Sequence, residues 1–204
     1  MIDHKKHCTD TSFRNLKSFS RLVITLVVLF NHATQAETTK TSMEASFTRE
    51  QWHEKLGWNT SDCPLQPPSE SNAGVNIFDF GVNTRIIEIE CEHLTYQGSY
   101  LFYLQKANVV SLLSFEQFEA PDVGQLERYS TPLVTGLPTV LKTEQAMTLL
   151  RKYRGFGDCG QYLYYQIKEN TTFLKQLRIQ ECSELFPKKP IPPFKWALHK
   201  FPKK

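Results

Sequence analysis

The chain reads as an α+β fold, mainly antiparallel β with one or two short helices, built as a single disulfide-stapled domain. Three observations point there. Strand-type patterning dominates from residue 75 onward, an even number of cysteines follows an export-type leader, and 14 Phe, 8 Tyr and 3 Trp in 204 residues supply one core. With 40% hydrophobic and 22% charged residues, the composition excludes a disordered, collagen-like or polytopic membrane chain.

Residues 1–36 read as a signal peptide. Lys5, Lys6, Arg14, Lys17 and Arg21 charge its start, residues 22–30 form an apolar run broken only by Thr25, and Thr34-Gln35-Ala36 offers small residues for cleavage after Ala36. As a helix that run spans about 14 Å, too short for the roughly 30 Å of hydrocarbon that an anchor must cross. The expected destination is periplasmic or secreted. Cleavage also changes the charge: the overall +3 belongs to the leader, and the remainder holds 19 basic and 19 acidic residues. No bulk charge is left to attract nucleic acid, so no nucleic-acid partner is expected.

Residues 37–44 are polar and expected to be loose. A short helix follows, because Thr48 can cap it, Gln51 completes a capping box, Phe47 and Trp52 suit a hydrophobic staple, and Gly57 is placed to end it. Trp52 and Leu56 then share one helix face. Residues 61–74, with Pro64, Pro67 and Pro68, read as loop. In residues 87–92, Ile87, Ile89 and Cys91 alternate with Glu88, Glu90 and Glu92, which predicts a half-buried strand with an acidic, solvated outer face. Residues 100–106 are its hairpin partner, with Gln97-Gly98 as the turn signal, and residues 109–113 continue the apolar run as a further strand. The acidic stretch 115–127, with Pro121, Asp122 and Gly124, is expected to be an exposed loop. Residues 133–141 are a weaker strand, interrupted by Gly136 and Pro138. Residues 143–153 fit either a helix capped by Thr143 or a strand. Residues 161–167 and 173–182 form the clearest hairpin.

Without Cys8, which the leader removes, four cysteines remain: Cys63, Cys91, Cys159 and Cys182. Two disulfides allow three connectivities. An antiparallel register that places Leu163 opposite Arg178, Tyr165 opposite Gln176 and Ile167 opposite Leu174 also places Cys159 opposite Cys182. This favours that bridge and leaves Cys63 with Cys91. No Cys-x-x-Cys or paired-His spacing suggests a metal or redox centre, and no cofactor is expected.

Candidate chemistry concentrates in Arg154-Gly155-Phe156-Gly157-Asp158-Cys159-Gly160. Three glycines in six positions allow either a binding loop, in which Arg154, Gly155, Gly157, Asp158 and Gly160 receive an anion, or a tight turn into the last hairpin. His53-Glu54 fails as a zinc-protease motif because Gly57 stands where the second His belongs. Glu88 and Glu90 project from one strand face about 7 Å apart, a spacing compatible with glycoside chemistry but expected simply to face water. Asn59-Thr60-Ser61 and Asn170-Thr171-Thr172 fit the glycosylation acceptor pattern of a eukaryotic secretory route. Residues 187–204 form a Lys- and Pro-rich tail with six Lys and no acid. It is either a free cationic arm for an anionic envelope surface or a segment that docks through Phe194 and Trp196.

Several of these features resemble one family: the short helix, Trp58-x-x-x-Asp62-Cys63, a strand ending in Cys91 followed by Tyr96-Gln97-Gly98-Ser99, the Arg154–Gly160 segment, and a late Cys182. In this order they are similar to the exported bacterial family of domain of unknown function 1176, over roughly residues 46–196. Members of that family are often longer on the N-terminal side and often carry Trp-Pro where this chain has Trp196-Ala197. The resemblance implies a bacterial envelope protein and assigns no catalytic residues. The expected function is therefore a non-enzymatic binding or inhibitor module. The alternative is a cell-envelope hydrolase in which carboxylates such as Asp158 and Glu181 converge in a cleft.

Overall fold

The computed structural model describes residues 46–68, 73–119, 126–183 and 191–200. The leader and residues 37–44 lie outside this range, as do Pro121, Asp122 and Gly124 of the expected acidic loop. Helix α1 spans Arg49–Leu56. Eleven strands follow: β1 (Val75–Gly81), β2 (Thr84–His93), β3 (Gly98–Lys106), β4 (Val109–Leu112), β5 (Phe115–Glu119), β6 (Glu127–Thr131), β7 (Val134–Leu141), β8 (Ala146–Lys152), β9 (Gly160–Lys168), β10 (Thr171–Gln180) and β11 (Ala197–His199). Nine strands make one sheet in the order β1-β2-β3-β7-β8-β9-β10-β11, with β4 also on β3, and β5-β6 form a separate ribbon. All pairings are antiparallel. The mainly antiparallel fold with its short helix is as the patterning predicts.

The ribbon lies over the inner face of the sheet and closes the core. Phe115 stacks edge-on against Phe102 of β3 (5.7 Å) and Tyr165 of β9 (5.2 Å). Around them Phe80, Ile86, Leu104, Leu149, Leu163 and Leu177 are buried. Backbone carbonyls of the ribbon segment are satisfied by the sheet, since Thr172 donates its hydroxyl to Ser114 O and Tyr165 donates to Glu116 O at 2.7 Å. Residues 115–119 are thus a core strand where a loop was expected. The acidic residues misled because they flank Phe115 and Phe118, whose side chains turn inward.

Of the two alternatives open for residues 143–153, residues 146–152 take the strand, since both neighbours, β7 and β9, offer ladders to β8. Two other expectations are corrected. The last hairpin is shifted by one residue at its open end, where Leu163 faces Leu177, and by two residues nearer the turn, where Tyr165 faces Leu174, with the irregularity between Leu174 and Gln176. The shift puts two apolar side chains opposite Leu163 and Tyr165 in place of Arg178 and Gln176, which is what a buried face requires. The turn contains only Glu169 and Asn170, both with positive φ, as a two-residue hairpin demands. Finally, the glutamate side of β2 is not a solvated outer face. Glu88 stands opposite Asn76 and Phe102, on the same face as core residue Ile86.

The N-terminal end is organised by an arginine. Thr48 caps α1 with the full capping box, and Gly57 closes the helix in the left-handed region. Arg49, on the same helix face as Trp52, is 2% exposed. Its guanidinium donates to Pro64 O, Ala73 O and Glu90 O, each at 2.9 Å, and to Cys63 Sγ at 3.4 Å. It also stands 5.5 Å from the centre of the Trp58 ring. Cys63 is bridged to Cys91. One buried cation and one disulfide therefore tie the helix and the proline-rich segment to β2.

Residues 191–200 do not stand off as a free arm. Ala197–His199 pairs with β10, Trp196 is 1% exposed, its indole donates to Ile191 O at 3.0 Å, and Arg178 donates to Trp196 O at 2.9 Å. Of the two docking residues expected, Trp196 is buried and Phe194 is exposed.

Candidate functional site

The segment leaving β8 turns back into β9 within seven residues, and each part of Arg154–Gly160 has a distinct task. Arg154 donates to Asp158 through Nε at 2.9 Å and through Nη2, and Nη2 also donates to Ser183 O at 3.1 Å. That fork is a bidentate clasp across the loop. The hydrogen bond from Arg154 holds the Asp158 carboxyl below its ordinary range, and the same bond raises Arg154. Arg154 is thus committed to the loop's own acid, and Asp158 bonds chiefly to that arginine rather than to nearby amides.

The glycines divide in the same way. Gly157 sits at φ +68 and donates its amide to Arg154 O at 3.1 Å, closing the turn. Gly160 opens β9 where a Cβ would lie 2.0 Å from Arg151 O, so only a residue without a side chain lets β8 and β9 approach. Gly155 has no such constraint, since a Cβ there would merely touch the Tyr96 ring at 3.6 Å. Behind the loop, Cys159 is bridged to Cys182.

What this frame presents is apolar. Phe156 is 78% exposed between the two loop glycines. Tyr153 and, from the β2–β3 turn that meets the loop at Gly155, Leu94 and Tyr96 are also exposed. The turn is held to the loop by the Lys152 amide, which donates to the Gln97 side chain at 3.1 Å, and Tyr153 accepts from Gln161 at 2.9 Å. Leu94, Tyr96 and Tyr153 carry no motif in the sequence. Only the topology, which places β2–β3 and β8–β9 connections at one end, brings their turn to the loop that carries Phe156.

The carboxylates form a second cluster. Glu88 is 6% exposed and accepts from Asn76 Nδ2 at 2.8 Å, while Glu90 contacts His93 Nδ1 at 3.1 Å. Burial raises the Glu88 carboxyl, against the lowering effect of the Asn76 hydrogen bond. Burial, aided by Glu90 and Glu88, pushes Tyr100 up to about 12. Asp158 and Glu181 form no buried acid pair, because Asp158 is clasped by Arg154, which holds its carboxyl low, and Glu181 is exposed.

Among the described residues no helix is long and apolar enough to cross a membrane, and no three His, Cys, Asp or Glu side chains converge as a metal site. Comparisons with family models, with curated proteins and with solved structures return no match.

Proposed function

We propose that the protein is an exported cell-envelope component that works by binding, as a non-enzymatic binding or inhibitor module whose contact surface is centred on Phe156. The observation that carries this reading is a large apolar side chain held in water on a loop fixed by a bidentate ion pair and backed by a disulfide. Such a side chain adds nothing to the core. A rigid aromatic anchor, however, loses little conformational freedom on binding, which is how hot spots gain affinity. Export is supported by the leader, by the two bridges, which persist in oxidising compartments, and by the resemblance to an exported family.

The test is capture from envelope extract by the immobilised chain, wild type against Phe156→Ala. Because Phe156 is exposed, the variant keeps its melting temperature while its partner is retained at least about tenfold more weakly. Equal retention by both proteins would refute the contact surface.

One observation favours a second reading, a carboxylate-based hydrolase. Glu88 has the raised carboxyl that a general acid needs, with Glu90 two residues along the same strand face. On that reading Glu88→Gln abolishes hydrolysis of envelope polymer. On the binding reading there is no hydrolysis to lose.

A further inference from the structure

Charge is distributed unevenly between the two ends of the sheet. Over residues 160–181 and 191–200, five cations (Lys168, Lys175, Arg178, Lys195 and Lys200) stand against two carboxylates, Glu169 and Glu181, and a third, Glu144, accepts from Tyr164 of β9. Every one of the lysines is exposed. The same region carries four of the protein's exposed large hydrophobic residues: Phe173, Ile191, Phe194 and Leu198. They are interleaved with the cations rather than separate from them. Lys175 Nζ lies 5.6 Å from the Phe173 ring centre, and Lys195 Nζ lies 5.9 Å from that of Phe194.

The pairing register explains why they share a side. Leu198 is opposite Arg178, and Arg178 is opposite Tyr162, while Phe173 is opposite Gln166. Leu163, Tyr165, Ile167 and Leu177 take the alternate positions and fill the core. Phe173, Arg178 and Leu198 therefore belong to the outer face of the hairpin. The 3₁₀ turn Pro193–Lys195, which bears Phe194, packs beside β9 and β10. No described element covers the exposed Phe and Leu side chains.

We propose that this outer face docks on an anionic phospholipid surface. A protein partner selected by charge alone would not require exposed Phe and Leu among the lysines. A lipid interface rewards both: apolar side chains enter the boundary of the acyl region while each Lys stays at phosphate level on its flexible stem. An anionic polysaccharide would use the cations but leave Phe194 and Leu198 in water. The face is separate from the Phe156 loop, so the two proposals stand or fall independently.

The test is co-sedimentation with phosphatidylglycerol vesicles and with phosphatidylcholine vesicles. It compares the exported chain, the triple variant Lys175→Glu/Lys195→Glu/Lys200→Glu, Phe194→Ala, and Phe156→Ala as the control for the other surface, all sharing one N-terminus. The proposal expects wild type to bind phosphatidylglycerol and to be released by salt. It expects roughly 100-fold weaker binding by the triple variant at unchanged melting temperature, from the loss of three surface lysines. Phe194→Ala should weaken binding several-fold, and Phe156→Ala should match wild type. Equal binding to phosphatidylcholine would overturn the proposal, as would a triple variant that binds like wild type. Retention on dextran sulfate without binding to vesicles would also overturn it, by assigning the face to a polyanion.

Discussion

Two regions of the molecule use the same three ingredients, an arginine, a disulfide and a glycine-bearing connection, to opposite effect. In the N-terminal region Arg49 is buried, donates to three backbone carbonyls and a cystine sulfur, and among the described residues has no carboxylate in its fork. In the C-terminal region Arg154 has a side chain 28% exposed and closes on Asp158, whose side chain is 7% exposed. The bridges themselves do not explain the contrast. Sequence separations of 28 and 23 residues give nearly the same loop-closure contribution, about 3 kcal/mol each. The arginines make the difference: one supplies donors to a backbone that folding has removed from water, and the other shapes a loop that remains in water. The first is structural, and the second shapes the loop that carries the exposed Phe156.

The sharpest way to break this comparison is Arg49→Ala. Three partly buried carbonyls would lose their donor, which costs about 3 kcal/mol and lowers Tm by roughly 6–12 °C in thermal unfolding. A shift no larger than that of Arg154→Ala would erase the distinction. Gly160→Ala should come close behind, at about 3 kcal/mol, because the new Cβ meets Arg151 O rather than a flexible side chain. That result would place Gly160 with the frame and not with the proposed contact surface.

Glu88→Gln sharpens the comparison in the opposite direction, since it should stabilise. The folded-state carboxyl is raised by burial, so its charge opposes folding at neutral pH and the folded state binds the extra proton as pH falls. The variant keeps an acceptor for Asn76 without the charge. Its Tm should exceed that of wild type at pH 7, with the gain shrinking as pH drops toward the ordinary carboxylate range. A lower Tm at pH 7 would contradict the burial argument. The smallest effect is expected from Asp158→Asn. The Asp158 carboxyl is lowered in the fold, so its stabilisation is present above the unfolded-state value and is lost only as pH falls through the lowered one. At pH 7 a small loss of Tm is expected, and in more acidic solution wild type and variant should converge.

Much of the frame was legible because local chemistry specified it. The Thr48/Gln51 capping box and Gly57 define α1 almost to the residue, and the β2–β3 and β9–β10 hairpins follow from alternation and turn residues. Residues whose role is set by tertiary neighbours were not legible. Arg49 shares the Trp52 face of the helix, but nothing local says that Pro64, Ala73 and Glu90 will turn carbonyls toward it. Phe115 and Phe118 looked like part of an acidic loop until the inner face of the sheet required a cover. Glu88 alternates with Ile87 and Ile89 as an outward residue would, yet both faces of β2 are covered. The Arg154–Gly160 motif stood out in the sequence, but the turn that meets it, with Leu94 and Tyr96, lies about sixty residues earlier in the chain.

Intact-mass analysis of the chain recovered from the cell that makes it, before and after reduction, tests the shared premise most directly. The account predicts a chain beginning at Glu37 that gains about 4 Da on reduction, two for each bridge. A chain beginning at Met1, with no mass change and four free thiols in Cys63, Cys91, Cys159 and Cys182, would contradict it.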